Sequence, residues 1–137
     1  MSDRAFRVSL AGIGVVVTLI TALGVDVRAT YGAQTTADEP QYILSAISLW
    51  EDGNLDISDE LAEERYRAFH ELDLPRQTEP YPDGRELSPH DPLLPLILAL
   101  PVGVGGWIGV KLALAMMAGG LASTMVWVAH RRLGVKP

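Results

Sequence analysis

Cysteine is missing altogether from the 137-residue chain, which excludes a disulfide framework, a thiolate nucleophile and any zinc site built on cysteine. Thiols therefore say nothing about the redox compartment. Positive charge is scarce in the middle of the chain. Between Asp26 and Trp107 five arginines stand against 16 of the 17 carboxylates, a net of −11, while the remaining residues sum to +5. A segment this acidic repels phosphate, and no basic stripe exists outside the flanks of the apolar runs, which argues against nucleic acid as a partner. The sequence also lacks a glycine-rich phosphate loop, a metalloprotease His-Glu pair, a nucleophile elbow and any internal repeat. The length holds one small domain and not two.

What the chain does have is apolar length. Val8 to Val25 carries no charge in 18 residues, and Leu93 to Ala129 carries only Lys111 in 37. Eighteen helical residues at about 1.5 Å each span roughly 27 Å, close to the hydrocarbon thickness of a bilayer. The first run is expected to cross once. Arg4 and Arg7 precede it and an acidic loop follows, which places the N-terminus in the cytoplasm and Asp26 outside. A cleaved secretory signal is the competing reading. The run is longer than an ordinary h-region, and Asp26 and Arg28 stand where small cleavage-site residues should follow.

Punctuation divides the second run. Pro92, Pro95 and Pro101, then Gly103, Gly105 and Gly106, break its first part. A helix capped by Ser88, with Pro89 at its first position and Asp91 three residues on, is expected to end near Pro101 and to lie in the interface or re-enter the membrane. From Trp107 onward a full crossing is expected, anchored by Trp107 and Lys111 at one end and by Trp127, His130, Arg131 and Arg132 at the other. Two crossings return the basic C-terminus to the cytoplasm. Gly119, Gly120, Ala122 and Ser123 form a small-residue patch of the kind that lets membrane helices approach closely.

The expected fold is therefore an all-α membrane protein: two transmembrane helices flanking an extracytoplasmic loop that holds two or three amphipathic or juxtamembrane helices. Its expected divisions are a cytoplasmic N-terminus 1–7, a first crossing 8–25, an acidic loop 26–87, a juxtamembrane or re-entrant helix 88–106, a second crossing 107–130 and a cytoplasmic tail 131–137. Within the loop, Asp38 is placed to cap a helix with Glu39 and Pro40 in its first turn and Gly53 at its end. Its face of Ile43, Ile47 and Trp50 suits a helix lying flat on a membrane surface. A second helix is expected from about Asp59 to Glu71. Pro75, Pro80, Pro82, Gly84 and Pro89 then predict an extended connector.

Three groups of side chains carry candidate chemistry. Asp38 and Glu39, adjacent carboxylates just beyond a membrane helix, suit a divalent cation or a base that takes a proton from an acceptor hydroxyl. Helix capping accounts for the same acidic pair. His90, with Asp91 to orient it, suits a metal or a phosphate, whereas an exposed interfacial histidine beside a capping carboxylate is the plain alternative. Asp52, Asn54, Asp56 and Glu63 echo a calcium loop, but the sixth position, which needs glycine, is Ile57; a turn and a helix cap explain them. His70 and His130 belong to a charged helix and to a basic membrane anchor.

The order of the pieces carries a resemblance. One membrane helix, a loop opening Ala37-Asp38-Glu39-Pro40-Gln41-Tyr42 and running into Leu49-Trp50-Glu51-Asp52-Gly53-Asn54-Leu55-Asp56, then Ser88-Pro89-His90-Asp91-Pro92-Leu93-Leu94-Pro95, then Gly109-Val110-Lys111-Leu112-Ala113 opening the next span, resembles the N-terminal portion of GT-C membrane glycosyltransferases. Protein O-mannosyltransferases and the transferase that adds aminoarabinose to lipid A are relatives of that kind. The resemblance runs from about Val8 to Gly134 through short, degenerate motifs. It implies a partial GT-C fold in the plasma (inner) membrane, and a hexosyl or pentosyl transfer from a polyprenyl-phosphate-linked sugar to an acceptor hydroxyl outside the cytoplasm. By position it makes Asp38 the base or metal-associated carboxylate and Glu39 its partner. It sets His90 and Asp91 near the donor phosphate, with Asp38 and His90 as ligands if a divalent metal is used. Some subfamilies carry Lys-Pro-Pro where this chain has His90-Asp91-Pro92. The family's donor groove is built from many further helices, so the chain alone is expected to be inactive and to need the remaining C-terminal membrane segments as partners. The alternative is a small non-enzymatic two-span subunit whose acidic loop binds a partner or cations.

Overall fold

The computed structural model describes residues 3–134; the outermost positions of both expected cytoplasmic segments lie outside the described residues. Among those described, the chain is helical and forms no strand: α1 (Asp3–Ala22), α2 (Glu39–Glu51), α3 (Ser58–Ala62), a 3₁₀ turn (Arg65–Ala68) and α4 (Leu93–Leu133). Two helices, α1 and α4, are long and apolar enough to cross a membrane, with mean hydropathies of 1.9 and 2.0. The chain divides into two compact units. One holds α1 and the chain from Lys111 onward, and the other is Asp26–Val110.

In the first unit, α1 begins five residues before the expected span, because Arg4 and Arg7 are good helix formers and Asp3 suits the positive N-terminal end. Three contacts fix the pairing of α1 with the later part of α4. The Phe6 ring lies 4.1 Å from that of His130, the Ser123 hydroxyl donates to the Leu10 carbonyl (2.9 Å), and Gly119 packs on Gly14. The partners run in opposite directions along the chain, so the two helices are antiparallel. Small residues make the contact because without a Cβ at Gly14 and Gly119 the two backbones can approach closely. Val15, Val16, Leu19 and Ile20 stay exposed.

The second unit has its own core of Ile43, Leu44, Ile47, Ile57, Tyr66, Phe69, Leu98 and Val102. Here the structure corrects three expectations. First, α2 does not present its apolar face to a surface. Ile43 and Ile47 are buried together with Gln41, Ser45 and Ser48, so α2 is the central helix of the unit. Only Trp50 of the expected face stays half exposed. Second, the helix expected over 59–71 is broken: α3 stops at Ala62, Glu64 takes left-handed angles (φ 53°), and the chain resumes as the short 3₁₀ turn. A left-handed residue cannot continue a right-handed helix. The chain then runs on without helix as far as Pro92.

The third correction concerns α4. It starts at Leu93 and not behind Ser88, because Asp91 is the capping residue: its Oδ1 accepts the Leu93 N–H (2.9 Å), with Pro92 between them in the position where a missing N–H does no harm. Ser88 instead accepts the His90 N–H (3.4 Å). The division expected near 106 is present. Gly106 has φ 58° and ψ −154°, outside any helical region and open to glycine alone, so α4 is two helices joined at a sharp bend. The bend sets Gly109 against the carbonyl of Pro101, although eight residues of straight helix would separate them by about 12 Å.

Candidate functional site

All four expected site residues lie in the second unit, at the entrances of α2 and α4. Thr36, Ala37, Asp38 and Glu39 form a compact turn: the Thr36 N–H donates to the Glu39 carboxylate (3.0 Å) and the Glu39 N–H to the Thr36 carbonyl (3.1 Å). This is half of a capping box, legible as Thr-x-x-Glu, and it gives Glu39 a local task. Ala37 sits in the left-handed region (φ 49°), which in a residue with a Cβ is strained. Asp38 follows with helical angles (φ −89°, ψ −7°) and makes no side-chain capping bond. A capping residue needs extended angles to lay its oxygen over the first amides. With the turn already closed by Glu39, the Asp38 carboxylate is turned outward.

What it meets is His90. Asp38 Oδ1 lies 3.6 Å from His90 Nε2, the carboxylate about half exposed and the imidazole mostly covered. The ring is held from two further sides. Gln77 Oε1 lies 2.8 Å from Nε2, and the Tyr42 ring stacks on it at 4.9 Å and 28°. Nε2 therefore faces two oxygens, Gln77 Oε1 at hydrogen-bond distance and Asp38 Oδ1 just beyond it. Asp91, by contrast, is occupied with the start of α4. The structure therefore brings Asp38 and His90 together and assigns Glu39 and Asp91 to shaping the two helix starts. Tyr42 is four residues after Asp38 on the same helical face, a spacing visible in the sequence. Gln77 sits in the proline-rich connector, where no pattern marks it. Beside Asp91 an apolar groove of about 410 Å³ opens between Leu49, Leu55, Leu93 and Leu96.

The connector that delivers His90 is fastened to the core by Asp56. Its Oδ1 accepts the N–H of Ser58 (3.1 Å) and, thirty residues on, that of Glu86 (2.9 Å), while the Ile57 N–H donates to the Glu86 carbonyl (2.8 Å). Partial burial pushes the Asp56 carboxyl up, but the amides of Glu86 and Ser58 outweigh it and hold it below its ordinary value. Arg65 similarly lowers Glu51 through paired bonds of 2.8 and 3.0 Å. The calcium-loop echo does not converge. Asn54 Oδ1 accepts from the Asp56 N–H and meets the Ser48 hydroxyl, Asp56 is spent as above, and Glu63 lies 3.7 Å from Arg65. A different acidic group does converge, formed by Asp52, Asp59 and the buried Glu60. Burial, then the hydrogen bond with Asp59, pushes Glu60 up to about 8.

Comparison with protein-family models, curated proteins and solved structures finds no match for the chain.

Proposed function

We propose that the chain is the N-terminal part of a membrane glycosyltransferase of the GT-C kind, acting on a sugar carried by a polyprenyl phosphate. The observation that carries this reading is the meeting of Asp38 and His90 across 52 positions of sequence, with Asp38 excused from capping by its neighbour Glu39. A hydroxyl that attacks an anomeric carbon must lose its proton, and an outward carboxylate suits that task. A lipid phosphate that departs with negative charge needs a cationic or hydrogen-bonding group. His90 offers one at the N-terminal end of α4, where the helix dipole adds to it. The apolar groove beside Asp91 is placed for the first isoprene units. If a divalent metal takes part, the oxygens of Asp38 and the imidazole of His90 suit it.

In this reading the acidic unit lies outside the plasma membrane and both ends of the chain are cytoplasmic, as the charge asymmetry of the flanks directs. Transfer needs the further membrane helices of a complete enzyme, so the chain alone binds the lipid phosphate without turnover. The test uses the full chain in nanodiscs containing a photoreactive polyprenyl phosphate. Labelling is expected near Tyr42 and Leu93, competed by polyprenyl phosphate and not by the free polyprenol, and His90→Ala is expected to lower it about tenfold, the loss of one charge-assisted bond. Labelling indifferent to both phosphate and His90 would remove the basis of the reading and favour a non-enzymatic two-span subunit.

A further inference from the structure

We propose that Asp52, Asp59 and Glu60 form a calcium site that ties the end of α2 to the start of α3, apart from the Asp38–His90 site and beyond the reading above. Each of the three offers one carboxylate oxygen, and these oxygens lie within 4.8 Å of one another. Carboxylate oxygens gathered this closely can share one calcium ion, whose six to eight oxygen ligands stand at about 2.3–2.6 Å.

The second observation concerns Glu60 itself. Its side chain is 2% exposed, and its Oε2 is buried with no hydrogen-bond partner. A buried carboxylate oxygen without a partner is costly unless something positive comes to it. The cation within electrostatic reach, Arg65, makes its contacts elsewhere. Arg65 directs its hydrogen bonds to Glu51 and its remaining reach to Glu63. Asp52 stands at the C-terminal end of α2, where the helix dipole is already negative. Three carboxylates and a helix C-terminus thus share one spot, a poor arrangement for free ions and a suitable one for a hard dication. Asp52 and Asp59 are exposed, which gives an ion a route in and leaves room for the waters that would complete six to eight ligands. Oxygen-only donors select calcium over zinc or copper.

The full chain in detergent, stripped with chelator and titrated with calcium chloride alone, tests this by calorimetry and thermal unfolding. One saturable site is expected with Kd on the order of 10⁻⁴ to 10⁻³ M, the range of extracellular calcium modules. Asp59→Asn and Asp52→Asn are expected to weaken it at least tenfold while keeping wild-type helix content by circular dichroism, and Glu63→Gln, outside the trio, to leave it unchanged. Glu60→Gln is expected to abolish the calcium-dependent rise in Tm. If the carboxylates are held only by a shared proton, calcium gives no saturable heat up to about 10 mM, tenfold above that range, and the proposal is overturned. Equal affinity in wild type and Asp59→Asn overturns it as well.

Discussion

Replacing Asp56 by alanine separates the connector that carries His90 from the core of its unit. One oxygen, Oδ1, accepts both the Ser58 and the Glu86 N–H, so the substitution orphans two backbone donors at once. Loss of the Ser58 bond resembles loss of an N-cap, about 1 kcal/mol. A bond from a partly buried amide to an ionised acceptor contributes about 1.5–3 kcal/mol, with the lower end fitting a site that water can reach. The sum is about 2–3 kcal/mol. For a body of the size of Asp26–Val110 each kcal/mol shifts Tm by roughly 4–8 °C, so a fall of roughly 10–20 °C is expected if that unit unfolds as one. Asp56→Asn keeps an acceptor oxygen and loses the charge, and is expected to lose about half as much.

The acid limb gives an independent readout. The folded Asp56 carboxyl lies below its ordinary value of 3.8, so the folded state binds fewer protons than the unfolded one across that interval, and stability rises with pH there. The contribution is complete above the unfolded value and is lost as pH falls through the folded one. Asp56→Asn should therefore lack this part of the acid-induced loss, and amide exchange at Glu86 should speed up in both variants. An unchanged Glu86 exchange rate in Asp56→Ala, or a stability loss under about 0.5 kcal/mol, within the ordinary scatter of surface substitutions, would refute the assignment of Asp56 as the fastening residue.

Two further outcomes test the first unit and the placement of the second. Gly119→Leu puts a side chain where the Gly14 carbonyl and the Thr18 hydroxyl stand; it is expected to separate α1 from α4, read as loss of disulfide cross-linking between cysteines introduced at Leu10 and Ser123, whereas Gly120→Leu, which meets open space, should cross-link as the parent does. The native absence of cysteine makes each introduced thiol unique. Asp73→Cys is therefore expected to react with an impermeant maleimide on intact cells and Arg132→Cys only after permeabilisation, and the reverse pattern would invert the proposed topology.

Hydropathy reads the solvent of a helix more readily than its neighbours. The two apolar helices and the break near Gly106 were legible because uncharged runs and clustered glycines report directly on lipid and on backbone freedom. The role of α2 was not legible in the same way. Periodicity identifies Ile43, Ile47 and Trp50 as a face, but a membrane surface and a protein core ask for the same face. The deciding residues are polar ones: Ser48 is buried, and its hydroxyl is satisfied by the Asp56 carbonyl (2.7 Å) and by Asn54 (3.1 Å), partners supplied only by the folded turn after the helix. The break at Glu64 escaped because no glycine marks its left-handed angles.

The Asp38–His90 meeting was suggested by resemblance, since no local rule links residues 52 apart. Its physical basis can be traced afterwards through three short-range devices: Glu39 closes the turn and releases Asp38, Asp91 sets where α4 begins, and Asp56 anchors the strand of chain that ends in His90. Each device is a carboxylate receiving a backbone N–H. Three of the carboxylates that composition assigns to a solvated loop are thus spent on positioning. Asp38, beside His90, and the Asp52–Asp59–Glu60 group stand outside these three devices, and charge brought from elsewhere is what can neutralise them.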